Sequence, residues 1–254
     1  MTGSSSRPAT PVWVDLASTN APAARAFYAH IFGWDVHVEE DPQYGGYAMA
    51  RVDGKDAAGI GPAQPGQPSA WTVYLGTDDA DALSADVAAN GGEVVLPPMQ
   101  IGDVGRMGII RDPSGAFLGI WQPQTMRGFT ATGAGAYTWA ELNARGFETT
   151  RPFYENVFGW SSDAMPFPGG EYTRFSAGGP PFAGGLEMHP GVPEQVPSYW
   201  MIYFAVADAD ATYAKAMEAG ASEMLSPSDF PGGRFAILAD PTGAMFAIRS
   251  QAAG

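Results

Sequence analysis

The chain has no cysteine, which excludes disulfides, thiolate metal sites and thiol nucleophiles. It is nearly without lysine: Lys55 and Lys215 stand alone, and the other 11 of its 13 cations are arginines that form no basic cluster. Against 27 acidic residues they leave a formal charge of -14, a balance that repels nucleic acid and anionic membrane. Histidine is scarce, with only His30, His37 and His189, so a Ser-His-acid triad would need one of three poorly placed rings. No apolar run approaches a membrane span. No phosphate loop is visible either, because "GGPPFAGG" contains prolines and lacks the lysine. The opening "MTGSSSRPAT" is polar, without the apolar core of a signal peptide. Together these absences predict a soluble, cytoplasmic protein that engages neither nucleic acid nor membrane.

What is present points to a folded, strand-rich chain. Apolar residues make up 45% of 254, enough for a real core, and 33 Gly with 22 Pro favour short strands joined by tight turns. The chain also repeats itself. "WVDLASTNAPAARAFYAHIFGW" from Trp13 aligns without gaps on "WAELNARGFETTRPFYENVFGW" from Trp139, with eight identities in 22 positions. "WTVYLGTDDADALSADVAANGGEVV" from Trp71 matches "WMIYFAVADADATYAKAMEAGASEM" from Trp200, and "RMGIIRDPSGAFLGIW" matches "RFAILADPTGAMFAIR". Repetition of this quality indicates a tandem duplication. The boundaries fall at 1–126 and 137–254, with the Gly/Ala/Thr-rich stretch 127–136 as linker.

Local patterns give the elements. Val12 to Leu16 alternate as a strand does, and Asn20 can cap a following helix with Pro22 in its first turn. Ala24, Phe27, Tyr28, Ile31 and Phe32 make one apolar stripe, ended by Gly33. The second copy repeats the stripe at Thr150, Phe153, Tyr154, Val157 and Phe158, ended by Gly159. "DPSG" (112–115) and "DPTG" (240–243) suit type I turns between strands. Further helices fall over 80–90 and 209–219, so each half reads as two strand-helix-strands units.

The "FY…FGW" plus "DPxG" combination resembles the vicinal oxygen chelate superfamily, which includes glyoxalase I, bleomycin-resistance proteins and extradiol dioxygenases. The resemblance covers nearly the whole chain. It implies an α+β fold of four βαβββ modules, arranged as two tandem glyoxalase/bleomycin-resistance-like domains whose curved mixed sheets enclose clefts. The duplicated form is similar to proteins of aromatic-polyketide antibiotic clusters. The family's enzymes usually hold a divalent metal in the cleft through His, Gln and Glu. Here the corresponding positions are Trp13 and Trp139, Thr72 and Met201, and Gly119 and Ala247. Only Thr72 among them could ligate, and weakly, so the expectation is no metal and no other cofactor. A displaced half-site of Glu187 and His189 is outweighed by a surface histidine on a Pro-rich loop.

Strand parity indicates what took the metal's place. Val12, Val14 and Leu16 share the face toward the helix, leaving Trp13 and Asp15 on the other. Phe117, Gly119 and Trp121 similarly oppose Ala116, Leu118 and Ile120. If the family architecture holds, the N-terminal cleft is walled by Trp13, Phe117 and Trp121, with Gly119 leaving room for a flat ligand. Tyr47, Met49 and Tyr74 complete its expected lining. The C-terminal cleft offers Trp139, Glu141, Met201, Tyr203, Met245 and Arg249. Asp15 and Glu141 are the polar groups that would orient a ligand, and the candidates for a general base. A Glu141–Arg249 pair would instead make the C-terminal cleft structural. Trp34 and Trp160, after the helices, are expected to pack in the core.

These patterns favour a metal-free protein that binds a planar hydrophobic aromatic compound, as a monomer or homodimer, with a biosynthetic oxygenase as a further partner. The alternative is an enzyme: a glyoxalase-like isomerase, or a hydroxylase or lyase. A third reading, two halves that only dock, would require clefts filled by their own side chains.

Overall fold

A computed structural model describes residues 9–167 and 170–251. Most of the polar opening segment read above lies outside the described residues. The chain forms four successive modules of strand, helix and three strands. The first is β1 (Pro11–Ser18), α1 (Ala21–Phe32), β2 (Asp35–Val38), β3 (Ala48–Val52) and β4 (Lys55–Pro62). The second is β5 (Ala70–Gly76), α2 (Ala80–Ala89), β6 (Glu93–Ile101), β7 (Gly105–Arg111) and β8 (Phe117–Pro123). The third is β9 (Tyr137–Ala144), α3 (Phe147–Phe158), β10 (Ser161–Phe167), β11 (Gly170–Ser176) and β12 (Ala183–Glu187). The fourth is β13 (Tyr199–Ala205), α4 (Ala209–Glu218), β14 (Ser222–Phe230), β15 (Gly233–Ala239) and β16 (Met245–Gln251).

Two eight-stranded sheets result, ordered β2-β3-β4-β1-β5-β8-β7-β6 and β10-β11-β12-β9-β13-β16-β15-β14. Both are mixed: the first and last strands of a module run parallel, while its hairpins are antiparallel. Packing cuts across this order. One compact unit combines Met1–Trp13, Val73–Gly128 and Ala140–Trp200, essentially the second and third modules. The other combines Val14–Thr72, Phe129–Trp139 and Met201–Gly254, essentially the first and fourth. Among the described residues no helix is long and apolar enough to cross a membrane.

The helices form for the reasons the sequence suggests. Asn20 Oδ1 accepts from the Ala23 amide at 3.2 Å, Pro22 occupies the first turn, and Gly33 ends α1 at φ 70°. Ala24, Phe27, Tyr28 and Ile31 are buried on one face. In α3 the whole stripe from Thr150 to Phe158 is buried. Its start is different, because Gly146 has no side chain to cap with. The Glu187 carboxylate, from the end of β12, accepts from the Gly146 and Phe147 amides at 3.0 and 2.7 Å. An anion at the positive end of the helix dipole replaces the missing local cap.

Both DPxG turns are held by their aspartates. Asp112 Oδ1 accepts from the Ser114 amide, the Ser114 hydroxyl and the Ala116 amide at 2.7–2.9 Å, and Gly115 donates to the Asp112 carbonyl at 3.0 Å. Asp240 repeats the pattern with Thr242 and Ala244.

The two repeated motifs also meet in the core. In the first unit Trp200 Nε1 donates to the Tyr154 hydroxyl at 3.1 Å, and that hydroxyl donates to Asp112 Oδ2 at 2.6 Å. The helix tyrosine of the third module is thereby latched to the turn aspartate of the second. In the other unit Trp71 Nε1 donates to the Tyr28 hydroxyl at 2.9 Å. Here Asp240 stands near the Tyr28 hydroxyl without the close hydrogen bond that Asp112 makes to Tyr154, and its charge is its larger effect on Tyr28. Burial first, and then the facing aspartate, holds both tyrosine hydroxyls well above their ordinary pKa. Trp34 stacks on Tyr28 with ring centroids 5.6 Å apart, and Trp160 on Tyr154 at 5.2 Å. Their indole nitrogens donate to the carbonyls of Gly135 and Ala9. The expectation that these two tryptophans are core residues holds.

Candidate ligand-binding faces

The alternation read from the sequence is present: Val14, Leu16, Ala116, Leu118 and Ile120 are fully buried. The faces opposite them carry the candidate residues, which the two units divide between them.

In the first unit Trp13, Tyr74 and Trp121 are buried. Tyr74 stands in parallel register with Gly119, and its ring lies over the glycine: a Cβ there would come within 2.0 Å of Tyr74 Cδ1. The Tyr74 hydroxyl reaches Met107 Sδ at 3.7 Å. The space expected at Gly119 is therefore filled by the protein's own ring. Parity fixes which residues share a face, but not which side chain leans across from the next strand. Phe117 departs as well. As the first residue of β8 it is 49% exposed, with the Arg111 guanidinium 5.9 Å above its ring, so it does not wall an enclosed cavity. Trp121 packs against Gly105, and its Nε1 donates to the Met126 carbonyl at 2.9 Å.

The same unit holds Glu141, in register with Gly184. The Tyr172 hydroxyl covers Gly184, 2.0 Å from where a Cβ would stand. Glu141 Oε1 accepts from Asn143 Nδ2 at 3.3 Å. Burial first, then the Glu141 charge, raises the pKa of Tyr199.

The second unit is arranged in the same way. Asp15, Gly59, Met49 and His37 form one cross-strand row, with the Tyr47 hydroxyl over Gly59, 1.7 Å from a Cβ position. Met201 is buried on β13, and Tyr203 stands in register with Ala247. Met245 and Arg249 are part-buried on β16. The Arg249 guanidinium lies over Phe230 at 4.8 Å and over Trp139 at 5.9 Å. A tyrosine over, or level with, a small residue thus recurs in all four modules. Tyr172, Phe230 and Phe235 were not singled out from sequence. The glycine pair before both Tyr47 and Tyr172 is the signal that could have found the first of them.

The positions that the resemblance assigns to metal ligands do not fit a divalent cation. Their occupants are indole, thioether, hydrogen and methyl, plus the weak Thr72 hydroxyl. Among the described residues no group of three or more His, Asp or Glu side chains is gathered anywhere. Glu187 is committed to the α3 amides, and the exposed His189 accepts from the Gly191 amide at 3.0 Å. His30 is exposed on α1, and His37 lies 2.8 Å from Asp35.

The module order and these faces are those of a glyoxalase-like fold, and the profile of the Glyoxalase/Bleomycin resistance protein/Dioxygenase superfamily matches residues 10–120 and 136–248. The chain belongs to that superfamily. It is 41% identical over 253 residues to CFP32 of Mycobacterium tuberculosis (strain CDC 1551 / Oshkosh), provisionally named a glyoxylase, covering 97% of this chain and 96% of that one. It is 38% identical over 257 residues to the anthracycline biosynthesis protein DnrV of Streptomyces peucetius, covering 95% and 93%. Among solved structures, the Mn(II)-bound glyoxalase from Novosphingobium aromaticivorans superposes with a TM-score of 0.68 at 17% identity, covering 96% of this chain and 83% of that one. That likeness is one of fold.

Proposed function

We propose that the chain binds a planar, hydrophobic aromatic compound, an antibiotic or polyketide intermediate, without using a metal. Its role is sequestration, resistance, or presentation of an intermediate to a biosynthetic oxygenase. The observation that carries this reading is the replacement of coordinating side chains by Trp13, Trp139 and Met201 on faces that also bear Tyr74 and Tyr203. Anthracyclines are flat, fused-ring phenols, and the names of DnrV and of DauV from Streptomyces sp. (strain C5), 37% identical, support a ligand of that kind. Stacking on such rings contributes about 0.5–1.5 kcal/mol per aromatic pair beyond area burial. Titration with a panel of hydroxyanthraquinones, followed by tryptophan quenching, is expected to saturate. Trp13→Ala or Trp139→Ala should each weaken binding by roughly tenfold, from the lost stacking and burial. No saturable quenching across the panel contradicts the proposal.

One observation favours the enzyme reading. Asp15 faces Gly59 across the strands, and the Tyr47 hydroxyl lies over that glycine, which places a carboxylate and a phenol on one face. Such a pair could relay a proton in an isomerase, lyase or hydroxylase, with Asp15 or Glu141 as base. Turnover of a bound compound abolished in Asp15→Asn, with binding retained, would establish that reading.

A further inference from the structure

At one aligned position the two halves of the duplication carry an indole and a guanidinium. Trp121 ends the third repeat in the N-terminal half and Arg249 ends it in the C-terminal half. In the N-terminal half the cross-strand row is Trp121, Met107 and Met99, apolar throughout, and the indole N–H is satisfied by the Met126 carbonyl. In the C-terminal half Arg249 stands in register with Phe235. Its guanidinium lies over Phe230 and Trp139, and Phe230 meets Phe235 edge-on at 5.9 Å.

The other arginines among the described residues show how unusual this is. Arg51, Arg106, Arg111, Arg151, Arg174 and Arg234 each pair with a carboxylate. Arg25 and Arg145 donate to carbonyls. Arg127 is exposed. The Arg249 guanidinium is part-buried yet makes no hydrogen bond or ion pair among the described residues, in a chain with 27 acidic side chains. Rings cover the flat of a guanidinium and leave its in-plane donors open, and those donors match a carboxylate edge-on.

We infer that the C-terminal half is selective for an aromatic ligand bearing a carboxylate, received by Arg249, whereas the N-terminal half takes a neutral ring system. This rests on the binding function proposed above and adds the charge class of one of its ligands.

The test uses two probes of one shape, anthraquinone-2-carboxylate and its methyl ester, titrated calorimetrically into the full chain. The acid is expected to bind about tenfold more tightly than the ester at one site per chain, with the difference shrinking as salt is added. Arg249→Met should remove that preference, bringing the acid to the affinity of the ester in the same variant, and Arg249→Lys should restore part of it. Circular dichroism melts check that both variants are folded. Equal affinity for acid and ester in the wild type, or an unchanged preference in Arg249→Met, overturns the charge assignment while the binding function stands. Binding of neither probe removes both.

Discussion

Asp112→Ala is expected to lower the unfolding free energy by about 3 kcal/mol or more, measured by urea denaturation with the wild type in parallel. The substitution removes four hydrogen bonds at once: three that shape the 112–116 turn and one from the buried Tyr154 hydroxyl. It thereby loosens the turn of the second module and the helix of the third together. Tyr154→Phe removes the last of these together with the bond from Trp200 Nε1, and should cost about 1–3 kcal/mol, because it leaves Asp112 Oδ2 without its donor and the indole N–H without its acceptor. The same latch sets an alkaline limit. The folded-state pKa of Tyr154 and Tyr28 is raised above the unfolded value of about 10. At pH below 10 both states are protonated and the stability is complete. As pH rises through 10 the unfolded chain ionises first, so stability falls with pH in that window. Tyr154→Phe, though less stable at neutral pH, should lose stability less steeply above pH 10. An equally steep loss would show that the Tyr154 hydroxyl is not among the groups the alkaline transition titrates.

Trp160→Ala should cost about 3–5 kcal/mol, the range for deleting a buried indole. Its ring touches Tyr154, Phe158, Phe175, Phe182 and Trp200, and its N–H serves the Ala9 carbonyl. Trp160→Phe keeps much of the packing but leaves that carbonyl unpaired, and should fall between. Ligand affinity in Trp160→Phe should stay within twofold of wild type, because this indole belongs to the core and not to a binding face. Trp13→Ala deletes an equally buried indole and should also cost stability, but unlike Trp160→Phe it should weaken ligand binding by roughly tenfold. A loss of binding in Trp160→Phe comparable to that in Trp13→Ala would mean that the two tryptophans had been assigned the wrong roles.

These contrasts show which features can be read from the residues. The α1 and α3 stripes, the glycine stops and the DPxG turns depend on neighbours within a few positions, so periodicity and local hydrogen-bond chemistry determine them. The partnership of Tyr154 with Asp112 spans 42 positions, and that of Tyr28 with Asp240 joins the first module to the fourth. Nothing local announces either. The sharing of the α3 cap by Glu187 is hidden for the same reason. On the candidate faces, parity identified Trp13, Asp15, Trp139 and Glu141 as outward from the helices. It could not foresee that Tyr74 would cover Gly119, or that Phe117 would stand half in solvent at the end of its hairpin. Those outcomes depend on the parallel register of β5 with β8 and on where each strand begins. The Asp53-Gly54 pair, both at positive φ between β3 and β4, is by contrast a local signal of a tight hairpin.

The proposal that ring faces stand in for metal coordination is tested directly by one measurement. Protein purified in the presence of divalent cations, then dialysed against a strong chelator, should contain well under one equivalent of any transition metal by elemental analysis. It should also bind a hydroxyanthraquinone with the same affinity before and after the treatment. A stoichiometric transition metal that survives purification, with ligand binding lost on its removal and recovered on its return, would contradict the account.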